Sequence, residues 1–218
     1  MYLDLKDFLP DHPEYRNEGL TDAKNVVPSF KSYQPMKSLN AVSTNALTDR
    51  CQGFASFKSN SGNITSFAGD ETKLYKYLSN TFTDVSGGTT FATPTDHQWH
   101  FTQFGNYIIA SNGANSPQAW QLDNSSTWSA LAGSPPNFRY SAVVRSFVVT
   151  GWQPSNRNKI HWSAIGDHTG WTAGTNQSDQ ATLYDTPEIT GIVGGEFGII
   201  FSVCGQLYVR IYHTKFFL

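Results

Sequence analysis

The sequence has few charged residues, few cysteines and no long apolar run. Only 15% of its 218 residues are charged and the formal net charge is −2, whereas an average globular domain has about 25% charged residues. A general nucleic-acid binder needs a surplus of Lys and Arg to attract phosphate, so this balance excludes that class. No stretch of about 18 apolar residues is present, so the sequence predicts no membrane span.

The two cysteines, Cys51 and Cys204, are far apart and have no Cys-x-x-Cys spacing. Neither a zinc site nor a disulfide framework is therefore indicated, and we expect both to be buried thiols. Residues 1–10 carry acidic side chains where a secretory signal needs an uninterrupted apolar core. We therefore expect synthesis and folding in a cytoplasm.

Signals for catalysis are scarce. The sequence contains no Gly-x-Ser-x-Gly, His-Glu-x-x-His, P-loop or dinucleotide-binding motif, so we expect a protein that is not an enzyme and needs no cofactor or metal. His97 and His100 are close in sequence, but their spacing of three places them on opposite faces of a strand. Asp167 and His168 lie between two glycines and are typical of a turn. Nothing pairs the remaining acids, which are Asp70, Glu71, Asp123, Asp179, Asp185 and Glu196.

Two regions differ in pattern. Residues 1–50 contain four prolines and many charges without sustained periodicity, which predicts an extended N-terminal arm. From residue 51 to 218, short apolar runs alternate with Gly, Asn, Ser and Asp, which is typical of strands and turns. Aromatic residues reach 14% and are spread along this second region.

The strand signals after residue 51 recur with a period of roughly 40–50 residues, the range of four-stranded propeller blades. Each of the four units begins with a predicted strand, and these first strands are residues 54–58, 99–104, 141–145 and 189–193. A tight turn, a continuously apolar strand, a hairpin, an aromatic strand and a short edge strand follow. In the third unit, for example, the last three strands are predicted at 146–151, 160–164 and 171–174.

Four antiparallel strands per period define a blade. The expected fold is therefore all-β, a propeller-like array of about four four-stranded antiparallel blades over residues 51–218. A β-sandwich with evenly spaced strands is the alternative. The sequence ends at residue 218, in or just past the apolar strand of the fourth unit that begins at residue 207. We therefore expect the fourth blade to be incomplete and the chain to be truncated at its C-terminus.

The six tryptophans occupy matched positions in the units, which predicts packing in the core or between blades. Trp152 is the exception, because it follows Gly151 in a predicted turn that continues with Gln153-Pro-Ser-Asn156. It is the tryptophan that we expect to make surface contacts.

Several segments resemble one group of virion proteins. In the arm these are Leu9-Pro-Asp11 and Tyr33-Gln-Pro35; in the repeats they are residues 103–113, 145–151 and 191–201. These segments are similar to tail tubular or nozzle proteins, and related tail-hub proteins, of short-tailed bacteriophages and prophages.

The resemblance implies a structural protein of the virion, made in the cytoplasm of a bacterial host. Identical subunits would form a ring with other tail proteins around the DNA conduit. A wall without excess positive charge would let DNA pass without tight binding.

Two alternatives remain. One is a carbohydrate-binding or carbohydrate-cleaving β-propeller, which the six tryptophans suggest. The other is an intracellular scaffold propeller, although the Gly-His and Trp-Asp blade signature is absent.

Overall fold

The computed structural model describes residues 7–9, 11–16, 19–20, 22–29, 32–38, 40–184, 186–202, 205–212 and 215–217. The chain divides into two units, Met1–Val42 and Ser43–Leu218. The N-terminal unit contains one 3-10 turn, Glu14–Arg16, and an antiparallel hairpin of β1 (Val26–Ser29) and β2 (Ser32–Pro35). Among the described residues, no helix has the length and apolarity needed to cross a membrane.

The second unit contains four antiparallel sheets of four strands each, and neighbours within a sheet follow chain order. The first sheet consists of β3 (Gly53–Lys58), β4 (Ile64–Gly69), β5 (Leu74–Leu78) and β6 (Thr81–Asp84). The second sheet consists of β7 (His100–Phe104), β8 (Tyr107–Ser111), β9 (Gln118–Gln121) and β10 (Ser129–Ala130). The third consists of β11 (Tyr140–Val144), β12 (Phe147–Gln153), β13 (Asn156–Trp162) and β14 (Asp179–Thr182). The fourth consists of β15 (Ile189–Val193), β16 (Gly198–Ser202), β17 (Gly205–Tyr212) and β18 (Lys215–Phe217).

Consecutive sheets pack through their first strands: β3 contacts β7, β7 contacts β11 and β11 contacts β15. This is the arrangement of propeller blades whose first strands lie innermost. Within the described strands, the first and fourth sheets have no comparable contact. The predicted all-β, propeller-like array is confirmed, and the first strands begin within one residue of the predicted positions.

The second strand of each inner sheet is buried on both faces. Ile108 packs in the core between the first and second sheets, while its neighbour Ile109 packs between the second and third. Val148 and Val149 divide in the same way between the cores on either side of the third sheet. Because successive side chains in a strand point to opposite faces, a strand between two neighbours must be continuously apolar.

The fourth sheet is complete in strand number, which corrects the expectation of an incomplete last blade. Arg210 pairs with Phe217 and Tyr212 with Lys215 in antiparallel register. The C-terminal apolar run is therefore two strands of a hairpin. The sequence does not separate the two strands, because no Gly or Asn stands between them as a turn signal.

The fourth strand of the third sheet lies later than expected. It is β14, at Asp179–Thr182, whereas residues 171–174 form no strand. Trp171 sits in the long loop before β14, and its ring packs with Phe138 and Ile109 between the second and third sheets. Trp171 is aromatic because it packs in the core, and not because it belongs to a strand.

Residues 43–50 belong with the first sheet, so the boundary between the units lies at 42/43 rather than at 50/51. The Thr44 amide donates to the Asn80 carbonyl (2.7 Å), and the Thr48 hydroxyl lies 2.8 Å from the Tyr75 hydroxyl. Residues 43–50 make these contacts without a periodic pattern of apolar residues, so the sequence alone assigns them to the arm.

Candidate functional site

Trp152 is not a surface residue. Its side chain is 4% exposed, so the prediction that it makes surface contacts is wrong. The residue lies in a β-bulge of β12, where the register with β13 shifts between Gly151 and Gln153, and its φ of +63° is in the left-handed region. A bulge re-aims the side chain at that position, and here it turns the indole away from solvent.

The indole of Trp152 is enclosed by charged and polar partners. Its Nε1 donates a hydrogen bond to the Glu188 carboxylate (2.6 Å), which also pairs with Arg157 at 3.5 Å. The guanidinium groups of Arg139 and Arg157 lie 5.5 and 5.4 Å from the ring centroid, within cation–π range. His97 approaches edge-on at 5.3 Å.

These partners come from three sheets. His97 precedes the second sheet, Arg139 precedes the third and Glu188 precedes the fourth. A Cβ placed on Gly113, whose φ is +79°, would lie 3.0 Å from the indole, so the backbone also closes against the ring. We refer to Trp152, Glu188, Arg139, Arg157 and His97 as the Trp152 cluster. The cluster joins neighbouring sheets, and it leaves no indole face open to a ligand.

His97 and His100 are held by different parts of the chain. The His97 Nδ1 is 2.8 Å from the Asn112 carbonyl oxygen, and the His100 Nε2 is 2.6 Å from that of Ser141. Burial lowers the pKa of His100 below its ordinary value. No group of three His, Cys, Asp or Glu side chains suited to a metal ion occurs among the residues that the structure describes.

The pair Asp167 and His168 forms a turn, as its sequence suggested. Asp167 accepts hydrogen bonds from the amide and hydroxyl of Thr169 (2.8 and 2.6 Å), and these bonds lower its pKa. The His168 ring stacks on Tyr107 at 4.1 Å, and burial lowers its pKa. Both side chains have structural partners.

Sequence reasoning missed the part played by Asp70, which is completely buried. Its Oδ1 accepts hydrogen bonds from the amides of Thr72 and Lys73 at 2.9 and 2.7 Å. Its Oδ2 accepts from the Tyr75 hydroxyl at 2.9 Å and the Asp49 amide at 3.2 Å. The Thr72 hydroxyl, at 3.5 Å from Oδ1, is a fifth donor, and together the five fix the turn between β4 and β5. An acid directly after an apolar strand was the available signal.

Asp123 and Glu196 have separate partners. Asp123 accepts a hydrogen bond from Asn63 at 3.0 Å, and Glu196 pairs with Arg145 at 3.3 Å. Asp185 lies outside the described residues. The paired carboxylates that glycosidic chemistry needs are therefore not brought together by these two acids.

Cys51 is exposed, which corrects the expectation of a buried thiol. It lines a cavity of about 350 Å³ with Arg50, Asp96 and His97, and its Sγ donates to the Gly53 carbonyl (3.3 Å). Cys51 lies just before β3, the first strand of the first four-stranded sheet. Cys204 lies outside the described residues.

All six tryptophans are buried. Trp120 and Trp128 pack edge-on against Phe67 at 4.9 and 5.0 Å, and the Trp99 Nε1 donates to the Asp70 carbonyl at 2.8 Å. The predicted packing role of the other five thus extends to Trp152. A sugar in solvent would find no indole face to stack on.

The exposed apolar surface lies elsewhere. In the N-terminal unit, large apolar side chains are exposed and no described residue belongs to the buried core; the exposed ones are Phe8, Tyr15, Val26, Val27, Met36 and Val42. In the second unit, large apolar side chains that are at least half exposed occur on the first and fourth sheets and in two loops of the third; they are Phe54, Ile64, Leu78, Ile165, Tyr184 and Val193. These surfaces are the candidates for contact with partners.

Comparisons with known proteins concern the fold. No protein-family model and no curated protein matches the sequence. Among solved structures, the computationally designed Ika4 protein superposes with a TM-score of 0.54 at 13% identity, over 81% of this chain and 100% of that one. The N-terminal domain of Nup159 superposes with a TM-score of 0.46 at 12% identity, over 87% of this chain and 49% of that one. At this identity, the likeness to Ika4 is one of fold alone.

Proposed function

We propose that the chain is a non-enzymatic structural component of a bacteriophage or prophage tail. In this role it assembles with identical subunits and neighbouring tail proteins around the DNA conduit of the virion. One observation carries the structural role: tryptophans and buried polar groups serve the joints between sheets, while large apolar side chains are exposed on the N-terminal unit, on the first and fourth sheets and in two loops of the third. The assignment to a phage tail depends on the sequence resemblance.

The N-terminal unit is the docking segment in this proposal. An isolated two-stranded hairpin is at best marginally stable in water, and every residue of β1 is exposed. Segments that cannot bury their own apolar side chains gain their order from a partner. A neighbouring tail protein that covers Val26, Val27 and Met36 would supply that burial.

The charge balance fits passage of DNA. Each Lys or Arg that neutralises a phosphate releases counterions and adds affinity. The chain has 15 Lys and Arg and 17 Asp and Glu residues, so its net charge adds no electrostatic affinity for DNA.

The carbohydrate alternative loses the feature that suggested it. Its support was the six tryptophans, which are all buried. A glycan array remains the direct comparison: strong saccharide binding by the purified chain would favour the alternative over the structural role.

The decisive experiment is to induce phage particles from the bacterium that encodes the gene and to analyse the purified particles by quantitative mass spectrometry. We expect peptides of this chain in the particles, in several copies per portal ring. A matched strain carries Val26→Ser and Val27→Ser, which should reduce incorporation while the four sheets stay folded. Abundant chain in the lysate but none in the particles would overturn the proposal.

A further inference from the structure

The long loop between β13 and β14 carries a segment with a glycine at each end. The segment is residues 166–174, and both Gly166 and Gly174 have a positive φ, +67° and +81°, with open space where a Cβ would lie. Because glycine tolerates many backbone conformations, these two positions can absorb a rotation of the segment between them. We refer to residues 166–174 as the flap.

The flap covers an apolar cleft between the second and third sheets. Its Trp171 is 4% exposed and packs in this cleft with Ile109 and Phe138. A Cβ added to Gly133, which follows the last strand of the second sheet, would collide with the Thr169 carbonyl oxygen, so the two backbones are in contact. Release of the flap would therefore expose the cleft to solvent.

Two histidines attach the flap to the sheets. Among the described residues, the hydrogen bonds of residues 167–174 stay within the loop itself, apart from one between the Trp171 backbone and His161. His161 lies on β13 of the third sheet, and its ring meets the Trp171 ring edge-on at 5.5 Å. His168 lies within the flap, and its ring stacks on Tyr107 of the second sheet at 4.1 Å.

Both attachments disfavour a positive charge. The Nε2 of His161 is buried and has no hydrogen-bond partner among the residues that the structure describes, so a proton there would be a buried donor without an acceptor. Burial lowers the pKa of His161 and that of His168 below the ordinary 6.5. Each histidine is therefore neutral when the flap is closed at neutral pH.

The surrounding groups do not supply a counter-charge strong enough to reverse this effect. The titratable or charged groups that face the two histidines are Lys159 and Asp179 near His161, and Asp167 and the Tyr107 phenol near His168. Lys159 acts with burial, whereas the two aspartates act against it, and burial is the largest effect at both histidines. The cross-strand neighbours of His161 on β12 and β14 are the uncharged Thr150 and Gln180.

We propose that the flap opens as a unit at acidic pH: protonation of His161 and His168 releases it from the second sheet, while the four sheets stay folded, and uncovers the apolar cleft beneath Trp171. An open flap returns both imidazoles to water and binds protons more readily than a closed one, so acidification favours opening. The uptake of one proton changes an equilibrium by up to about tenfold per pH unit. The opening constant should therefore rise by up to about that factor for each histidine below pH 6.5.

Hydrogen exchange with mass spectrometry on the full chain, between about pH 5 and pH 8, measures the opening directly. Each rate is divided by the intrinsic exchange rate at the same pH. The flap contains hydrogen-bonded amides, among them those of Asp167 and Gly174, and these should lose protection below pH 6.5 while the amides of β12 keep theirs. Flap protection that does not change with pH would overturn the proposal. Flap and β12 amides that always lose protection together would overturn it too, because that pattern is global unfolding.

Histidine variants test which groups open the flap. His168→Gln keeps a planar polar side chain that cannot be protonated, so the pH dependence of flap exchange should become weaker by up to about tenfold per pH unit. His161→Gln should act in the same way, and the double variant should show no pH dependence. His12→Gln is the matched control, because His12 is exposed in the N-terminal unit, and it should keep the wild-type profile.

A wild-type profile in the double variant would overturn the proposal. Because His161 is buried and its variant can fail to fold, His168→Gln is also decisive by itself, since unchanged pH dependence in this half-buried position would overturn the shared role of the two histidines. The test needs no virion particles, so its outcome is independent of the proposed tail function.

Discussion

At the scale of single residues, buried polar side chains define how the sheets begin and end. Asp70 closes the turn after β4, and Trp152 joins the loops of three sheets through Glu188. The Thr102 hydroxyl donates to the Ser141 carbonyl (2.9 Å) between the second and third sheets. Such groups cost free energy when left unpaired, so they select one arrangement of loops from the many that apolar packing alone would tolerate.

Asp70→Asn should lower the free energy of unfolding by about 2–3 kcal/mol, because an amide must turn a donor toward groups that are themselves donors. Chemical denaturation measures the change. Glu71→Gln is the matched control, since the neighbouring Glu71 is exposed, and it should have little effect. Equal stability of the two variants would contradict the role assigned to Asp70.

Trp152→Phe should cost about 1–2 kcal/mol, because it removes the donor to the Glu188 carboxylate while keeping an aromatic ring. Glu188→Gln should cost less, since the amide oxygen still accepts from the indole. Denaturation monitored by circular dichroism gives both values. The reverse order, with the glutamine variant less stable, would show that the joint depends on the Arg157 ion pair instead.

Stability should decrease as the pH falls below about 6.5. Burial lowers the pKa of His100, His161 and His168 in the folded chain below the ordinary 6.5, so the unfolded chain binds protons first. The histidines therefore favour folding fully above pH 6.5 and progressively less below it. Melting temperatures across this range, with proton NMR of the imidazoles, test the effect; a constant melting temperature down to pH 5 would refute it.

At the scale of elements, the edge of the first sheet is covered by the chain itself. Asn45 donates to the Phe82 carbonyl (2.8 Å) and accepts from the Phe82 amide (2.9 Å), as a paired strand residue would. An uncovered edge strand offers unpaired groups to other chains. The edge strand of the second sheet, β10, is protected in another way. It has two residues, so it offers few unpaired backbone groups to other chains.

Asn45→Ala should expose the Phe82 amide to solvent and destabilise the edge by about 1 kcal/mol. Hydrogen exchange at residues 81–84 should become faster, while exchange in β4 should stay unchanged. Asn124→Ala is the control, because its side chain donates to the Gln121 side chain in an exposed loop, away from β6. Unchanged exchange at 81–84 would mean that Asn45 does not cover the edge.

The sequence predicts most of the elements because two independent signals coincide at the first strands: a period near that of a blade, and Gly, Asn or Ser turns. Where one signal is missing, the prediction fails. The hairpin between β17 and β18 has no Gly or Asn turn, and the aromatic run at Trp171 is core packing in a loop. The joint around Trp152 escapes prediction because its partners lie up to 55 positions away along the chain.

At the scale of the molecule, apolar burial is concentrated in residues 43–218, since the described core contains no residue of the N-terminal unit. Deletion of residues 1–42 should therefore change the melting temperature of the four sheets by less than about 3 °C. Differential scanning calorimetry of the shortened chain gives the answer. A larger decrease would show that the N-terminal unit contributes to the stability of the sheets.

The order of contacts between sheets has a consequence for synthesis on the ribosome. Each sheet is built from consecutive strands and touches mainly the sheets immediately before and after it. Units with such nearest-neighbour coupling can fold by propagation from one end. The early sheets can therefore complete their hydrogen bonding while the later ones are still being translated, and each new sheet emerges beside a finished template.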